Sequence, residues 1–228
     1  MNGIKFSLRA GNGFFKKPET NHNPCTFSFM HKVAMVGLVG ATTGIERREM
    51  APLFPQLCED LLYSIKILAP VVKEPHGFTK RDAVYENFGG KGRRGCEILR
   101  NPSYEIVIGL KNERSRGIFD KFRSMIENRK RVYPQVVGNL NCPAYCKHIN
   151  NPEISEERVG EFETDSVISA QHKILGDIES VDMSFEWSPI VENEWKHTKN
   201  AHTVYTNGQS IKVHGPYRMV MEEARWFM

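Results

Sequence analysis

From Ile4 to Arg9 the chain alternates Ile4, Phe6 and Leu8 with Lys5, Ser7 and Arg9, the two-residue period of a half-buried strand. Asn12-Gly13 then breaks the pattern. Lys32 to Thr42 is apolar on nearly all sides and predicts a buried helix, with Gly37, Gly40, Ala41 and Gly44 at three- and four-residue spacing. A helical glycine costs about 1 kcal/mol relative to alanine, so the cluster is expected to mark close approach of the helix backbone to a sheet. Leu62 to Ala69 reads as a second strand stopped by Pro70, and Tyr104 to Leu110 as a third. Between Ser115 and Lys130, Ile118, Phe119, Phe122, Met125 and Ile126 form one apolar stripe. Arg114, Arg116, Lys121, Arg123, Arg129 and Lys130 occupy the rest, the pattern of an amphipathic helix. Val132 to Val137 is expected to be a fourth strand ending at Gly138.

The order strand, helix, strand, strand, helix, strand is that of the α+β ferredoxin-like split βαβ fold, which RRM domains share. Val71 to Ser103 is an oversized connection between the second and third strands, far beyond the usual hairpin loop of about 2–5 residues. It contains "FGGKGRRGCEILRNP", in which glycines alternate with Lys91, Arg93, Arg94 and Arg100. The composition predicts an extended basic arm projecting from the sheet.

Composition bounds the class. With 228 residues, 40% of them hydrophobic and 25% charged, the chain has the means to build an ordinary globular core. No apolar run reaches the ~18 residues of a membrane span. The opening MNGIKFSLRAG lacks a signal-peptide core and the five cysteines are odd in number, so a cytoplasmic location without a disulfide framework is expected. Cys142, Cys146 and His148 lie close together, but a second Cys/His pair does not follow them, so neither zinc nor another cofactor is expected. Charge divides by region: residues 1–152 hold 24 Lys and Arg against 13 Asp and Glu, and residues 153–194 hold 2 against 12. Such a division suits one surface for a polyanion and another for a basic partner or for solvent.

The stretch "KKPETNHNPCTFSFMHKVAMVGLVGATTG", residues 16 to 44, sets a basic, amide-rich segment directly before the buried helix. A helix N-terminus presents unpaired N–H groups to phosphate. Lys16, Lys17 and Lys32 add cations there, and Thr20, Asn21, Asn23 and Thr26 add short hydrogen-bonding groups. Phe14, Phe15 and His22 are candidates for stacking on unpaired bases. The glycines of "VGLVGATTG" do not form a nucleotide-binding loop, because no G-x-x-x-x-G-K-[ST] follows a strand. Ribonuclease chemistry would need a paired acid and base. His22, His31 and Tyr133 are candidates, yet no matched set stands out, and an enzyme is not expected.

The quoted segments "FKKPETNHNPCTFSF" and "KVAMVGLVGATTGIERRE", with "CEILRNPSYEIVIGL" and "YPQVVGNLNCPAY", resemble CRISPR-associated protein family five of the RAMP superfamily. The resemblance covers about residues 3 to 145. Met30-His31 stands where relatives often carry prolines. It implies an RRM-like domain over residues 1–152 with a β-hairpin thumb inserted at about 71–103, and a β-rich C-terminal extension over 153–228. It also implies a non-catalytic subunit of a type I Cascade complex that caps the 5′ handle of the guide RNA in antiviral defence. The partners implied are that handle, the repeated backbone subunit, the large subunit and target DNA in the assembled complex, with no membrane. One branch of the family cuts its own precursor RNA without metal, which is the alternative activity. RNA contacts are expected from Lys16, Lys17, Thr20, Asn21, His22, Thr26, Lys32, Arg47, Lys91, Arg93, Arg94 and Arg100.

Overall fold

A computed structural model describes residues 1–20, 23–80, 92–138, 142–176, 181–192 and 197–228. The first alternating run becomes β1 (Gly3–Ala10), whose Ile4, Phe6 and Leu8 are wholly buried. A two-residue strand β2 (Asn12–Gly13) leads through a loop to α1 (Lys32–Thr43), then α2 (Arg47–Asp60) and β3 (Leu61–Ile67). The oversized connection folds as a hairpin, β4 (Val72–Lys80) against β5 (Gly92–Arg100). After it come β6 (Ser103–Leu110), α3 (Arg116–Glu127) and β7 (Ala144–Asn150). The central sheet has the order β3–β6–β1–β7 with antiparallel neighbours, which is the ferredoxin-like arrangement. The fourth strand therefore lies at 144–150, not at Val132–Val137. Residues 132–137 run beside α1 instead, with the N–H groups of Val132 and Tyr133 donating to Thr42 and Ala41.

The helical glycines differ from expectation too. A β-carbon on Gly40 would meet Met50 of α2 at 3.1 Å, not the sheet, and one on Gly37 would meet nothing within 4 Å. Gly44 closes α1 in the left-handed conformation, φ 79°, which suits a residue without a side chain. One face of the sheet packs on α1 and α3, with Phe6 edge-on to Phe122 at 5.9 Å between ring centres. Leu62 and Val107 point to the other face, where Ile154, Val220 and Phe227 cover them.

The C-terminal third is strand-rich. β8 (Arg158–Thr164), β10 (Lys173–Leu175) and β14 (Glu223–Arg225) gather around β13 (Ile211–Val220), and β9 (Ile168–Ser169) pairs with the hairpin β11 (Met183–Glu192) and β12 (His197–Thr206). It covers the far side of the sheet through an ion cluster as well as apolar contact. Lys5 lies 3.1 Å from Glu105 and 3.3 Å from Glu223, and the buried Arg225 pairs with both carboxylates. The sheet face on which RRM domains stack bases is thus largely closed here.

Asp60 fastens α2 to the start of α3. Its buried carboxylate accepts from Asn112 at 2.8 Å, from Arg114 Nε at 2.8 Å and from Ser115 Oγ. Burial pushes its pKa up, but the bonds from Arg114, Ser115 and Asn112 outweigh burial and hold it below the ordinary aspartate value. A depressed carboxylate stabilises the fold above its unfolded pKa, and that stability fades as pH falls through the folded value. Asp60→Asn is expected to unfold more easily at neutral pH and to lose the contribution of about one proton from the acid limb. Urea titrations between pH 6 and 3 check both, and an unchanged acid slope would assign that limb to other carboxylates.

Candidate nucleic-acid interface

The amide-rich segment folds back on itself beside α1. Lys16 bridges Thr26, the Phe27 N–H donates to the Phe15 carbonyl at 2.9 Å, and the Cys25 N–H donates to Thr20 Oγ1 at 2.9 Å. The base of the β4–β5 hairpin is bonded to this loop. The Glu97 N–H donates to Pro24, the Thr26 N–H donates to the Glu97 carboxylate at 3.2 Å, and Lys73 Nζ donates to the Thr26 carbonyl at 3.0 Å. Two basic elements far apart in sequence are therefore one structural unit.

Alongside runs the outward face of α1, where Ala34, Gly37 and Ala41 leave the backbone thinly covered. Two adjoining hollows share Gly37 and Ala41. The first, about 390 Å³, is walled by Phe14, Phe15, Lys16, His31 and Gly138. The second, about 800 Å³, is walled by α2 and Tyr133, with Arg47 at its rim beside Glu46. Lys16 and Arg47 are exposed at the two ends of this groove, and neither has an ion-pair partner among the described residues.

Other residues singled out from the sequence have internal partners. Lys17 Nζ sits 3.0 Å from Glu186 of β11 and 5.4 Å from the centre of the Phe27 ring. Burial lowers its pKa, but the bond to Glu186 together with the charges of Glu186, Glu19 and Glu97 outweighs burial and leaves it raised. Thr26 is fully buried, accepting from the Phe15 N–H and donating to the Phe27 carbonyl, and Thr20 ties off the turn through the Lys17 carbonyl. Lys32 is buried, donates to the Met228 carbonyl at 2.8 Å, and is lowered to about 8 by burial. Phe14 and Phe15 are core side chains, so their faces are not open to stacking. Arg100 is exposed but paired with Glu74 at 3.1 Å. Arg93 and Arg94 lie in β5 opposite Thr79 and Phe78, while Asn21, His22 and Lys91 are outside the described residues.

The N-terminus of α1 is capped from within. His31 Nδ1 accepts the Ala34 N–H at 3.2 Å, and burial lowers its pKa to about 4, so the ring is neutral at physiological pH. As an acceptor at Nδ1, the neutral ring carries its proton on Nε2. Cys142 is buried and Cys146 half-buried, with burial pushing the Cys146 thiol up to about 12. No group of three His, Cys, Asp or Glu among the described residues is placed to hold a metal. No helix among them is long and apolar enough to cross a membrane.

A ferredoxin-like α+β domain with an inserted hairpin and a strand-rich extension is a fold also found among solved CRISPR-associated proteins. Solved structures agree over nearly the whole chain. A CRISPR protein from Archaeoglobus fulgidus matches at a TM-score of 0.61 and 15% identity, over 99% of this chain and 98% of that one. A chain of a CRISPR RNA-guided surveillance complex matches at 0.53 and 9% identity, over 94% and 91%. A Cas protein matches at 0.50 and 12% identity, over 90% and 95%. Identities this low show a shared fold. No protein-family model and no curated protein matches the sequence.

Proposed function

We propose that this chain is a family-five CRISPR-associated subunit that caps the 5′ handle of a guide RNA in a type I effector complex, without catalysing a reaction. The observation that carries this reading is the union of the 14–27 loop and the hairpin base beside the α1 groove, with Lys16 and Arg47 exposed at its ends and without an ion-pair partner among the described residues. The groove exposes helix backbone at Gly37, where a phosphate–sugar chain can approach closely. Lys16 and Arg47 hold phosphates, while the hairpin lies over the strand where handle meets spacer. The remaining surfaces meet the repeated backbone subunit and the large subunit, which brings target DNA. The similarity to a chain of a surveillance complex supports the ribonucleoprotein setting.

Binding of repeat-derived handle RNA by fluorescence anisotropy tests the reading. Lys16→Ala and Arg47→Ala should each weaken binding and flatten the salt slope by about 0.7, the share of one phosphate contact on a single strand. Lys17→Ala should leave the slope unchanged, because Glu186 already neutralises that cation. Gly37→Ala separates folding from binding. A methyl there meets open space and helical propensity favours it, so stability rises by up to ~1 kcal/mol. The same methyl narrows the groove, and binding should fall about tenfold, ~1.4 kcal/mol. Normal binding by Gly37→Ala would remove the groove from the RNA path. The RNA should remain intact in EDTA, and specific cleavage there would assign the endoribonuclease activity instead.

A further inference from the structure

The free edge of the central sheet carries a second set of cations that shares no residue with the α1 groove. β7 ends the order β3–β6–β1–β7, and among the described residues no strand pairs with its outer edge. Ala144, Cys146 and His148 stand opposite Ala10, Leu8 and Phe6 of β1 and so face the helix layer. Tyr145 and Lys147 fall on the other face, with Arg9 directly opposite Tyr145. Tyr145 is 69% exposed. Around the edge, α3 is followed by Arg129, Lys130 and Arg131, which line a hollow of about 190 Å³ together with Tyr145.

Arg9, Arg129, Lys130, Arg131 and Lys147 are all exposed, and none has an ion-pair partner among the described residues. On the closed part of the same sheet the opposite holds, since Lys5, Lys66 and Arg225 are each paired. Glu127, at the end of α3, accepts from Asn151 and leaves the cations in excess. Arg129 holds a φ of 53°, the left-handed conformation that a helix end ordinarily gives to glycine or asparagine. A β-carbon disfavours that conformation, so the surrounding fold holds Arg129 there against its local preference.

Crowded like charges around an open aromatic ring call for a polyanion that also has flat faces. An acidic peptide answers the charge but not the ring, and a duplex hides its base faces. We propose that the β7 edge is a second binding site, for single-stranded nucleic acid, with phosphates on Arg129, Lys130, Arg131 and Lys147 and a base stacked on Tyr145. The proposal does not depend on what the α1 groove holds.

The test uses the full chain with labelled 20-nucleotide oligo-uridylate and oligo-thymidylate, read by anisotropy across a salt series. Tyr145→Ala should weaken binding at least about fivefold without lowering Tm, and Tyr145→Phe should restore it. Replacing Arg129, Lys130 and Arg131 together with alanine should flatten the salt slope by roughly 2, at about 0.7 for each phosphate. Ultraviolet cross-links should map to the Tyr145 peptide even in a Lys16→Ala, Arg47→Ala protein whose groove is impaired. Either oligonucleotide behaving this way supports the site, and the preferred one identifies the strand it takes. Unchanged affinity and slope in both the Tyr145→Ala and triple variants would overturn it. So would poly-glutamate competing as well as the oligonucleotides, with Tyr145→Ala without effect.

Discussion

Glu186→Ala is expected to destabilise the fold by about 3–5 kcal/mol, the cost of removing one partner of a buried charge pair. The carboxylate is almost wholly buried and has three partners. It lies 3.0 Å from Lys17 Nζ and 3.7 Å from Lys73 Nζ, and it accepts the Ser28 N–H at 2.6 Å. Its loss leaves two cations facing one another across the loop and a buried N–H without an acceptor. Glu186→Gln should cost less, because an amide oxygen still serves Ser28. The pH dependence distinguishes this from simple loss of packing. Lys17 is raised above the ordinary lysine value in the folded state, so its contribution is fully present below the unfolded pKa and is lost as pH rises through the folded one. The deficit of the variant should be constant through neutral pH and should shrink only above about pH 10.4. Urea unfolding at pH 7 and pH 11 measures both, and a loss under about 1 kcal/mol would mean that solvent already screens the pair.

That pair shows what sequence could and could not reveal. The elements that carry the main core are legible: β1 alternates strictly, β3 and β6 are dense apolar runs buried on both faces, and α3 has a continuous apolar stripe. β7 is hidden in the sequence because its exposed Tyr145, Lys147 and Ile149 leave only small or polar residues facing inward, so AYCKHIN does not look like a strand beside Val132–Val137. Pro134 interrupts that more apolar run and removes a ladder donor. α2 is not legible in the sequence because Pro52 and Pro55 lie inside it, where proline removes helix hydrogen bonds. The loop before α1 was recognised as basic and amide-rich, but the partner that decides Lys17, Glu186, arrives from the far end of the chain. No local pattern encodes that meeting. The same holds for the acidic strip, whose Asp165 and Glu186 serve partly as counter-charges for Lys66, Lys17 and Lys73. Sequence alone therefore marks this segment as a candidate interface, but it counts among the contacts a lysine that Glu186 already pairs and a threonine that is buried.

Gly138→Ala should be the most damaging change at the groove itself. Gly138 bridges Phe14, and the Phe14 N–H donates to Val137 at 3.0 Å, so two chain segments meet there to form one wall of the first hollow. The residue holds φ at 76°, and an added β-carbon would stand 2.0 Å from the Phe14 carbonyl oxygen and 2.6 Å from its carbon. Both atoms are backbone, so no side-chain rotation relieves the contact. The left-handed conformation alone costs about 1–2 kcal/mol for a residue with a side chain. Separating the two segments also breaks the Phe14 hydrogen bond and lifts Phe14 from Cys96 and Ile98, so a total of roughly 3–5 kcal/mol is expected. For a chain of this size that lowers Tm by roughly 6–20 °C, at about 2–4 °C for each kcal/mol. RNA binding should fall with it even at temperatures where the variant is folded, because Lys16 follows Phe14 on the displaced segment. Gly37→Ala, expected to weaken binding while raising stability, is the matched control. If Gly138→Ala melts normally, the Phe14–Gly138 contact does not exist; if it melts early but binds RNA normally when folded, the groove wall plays no part in recognition.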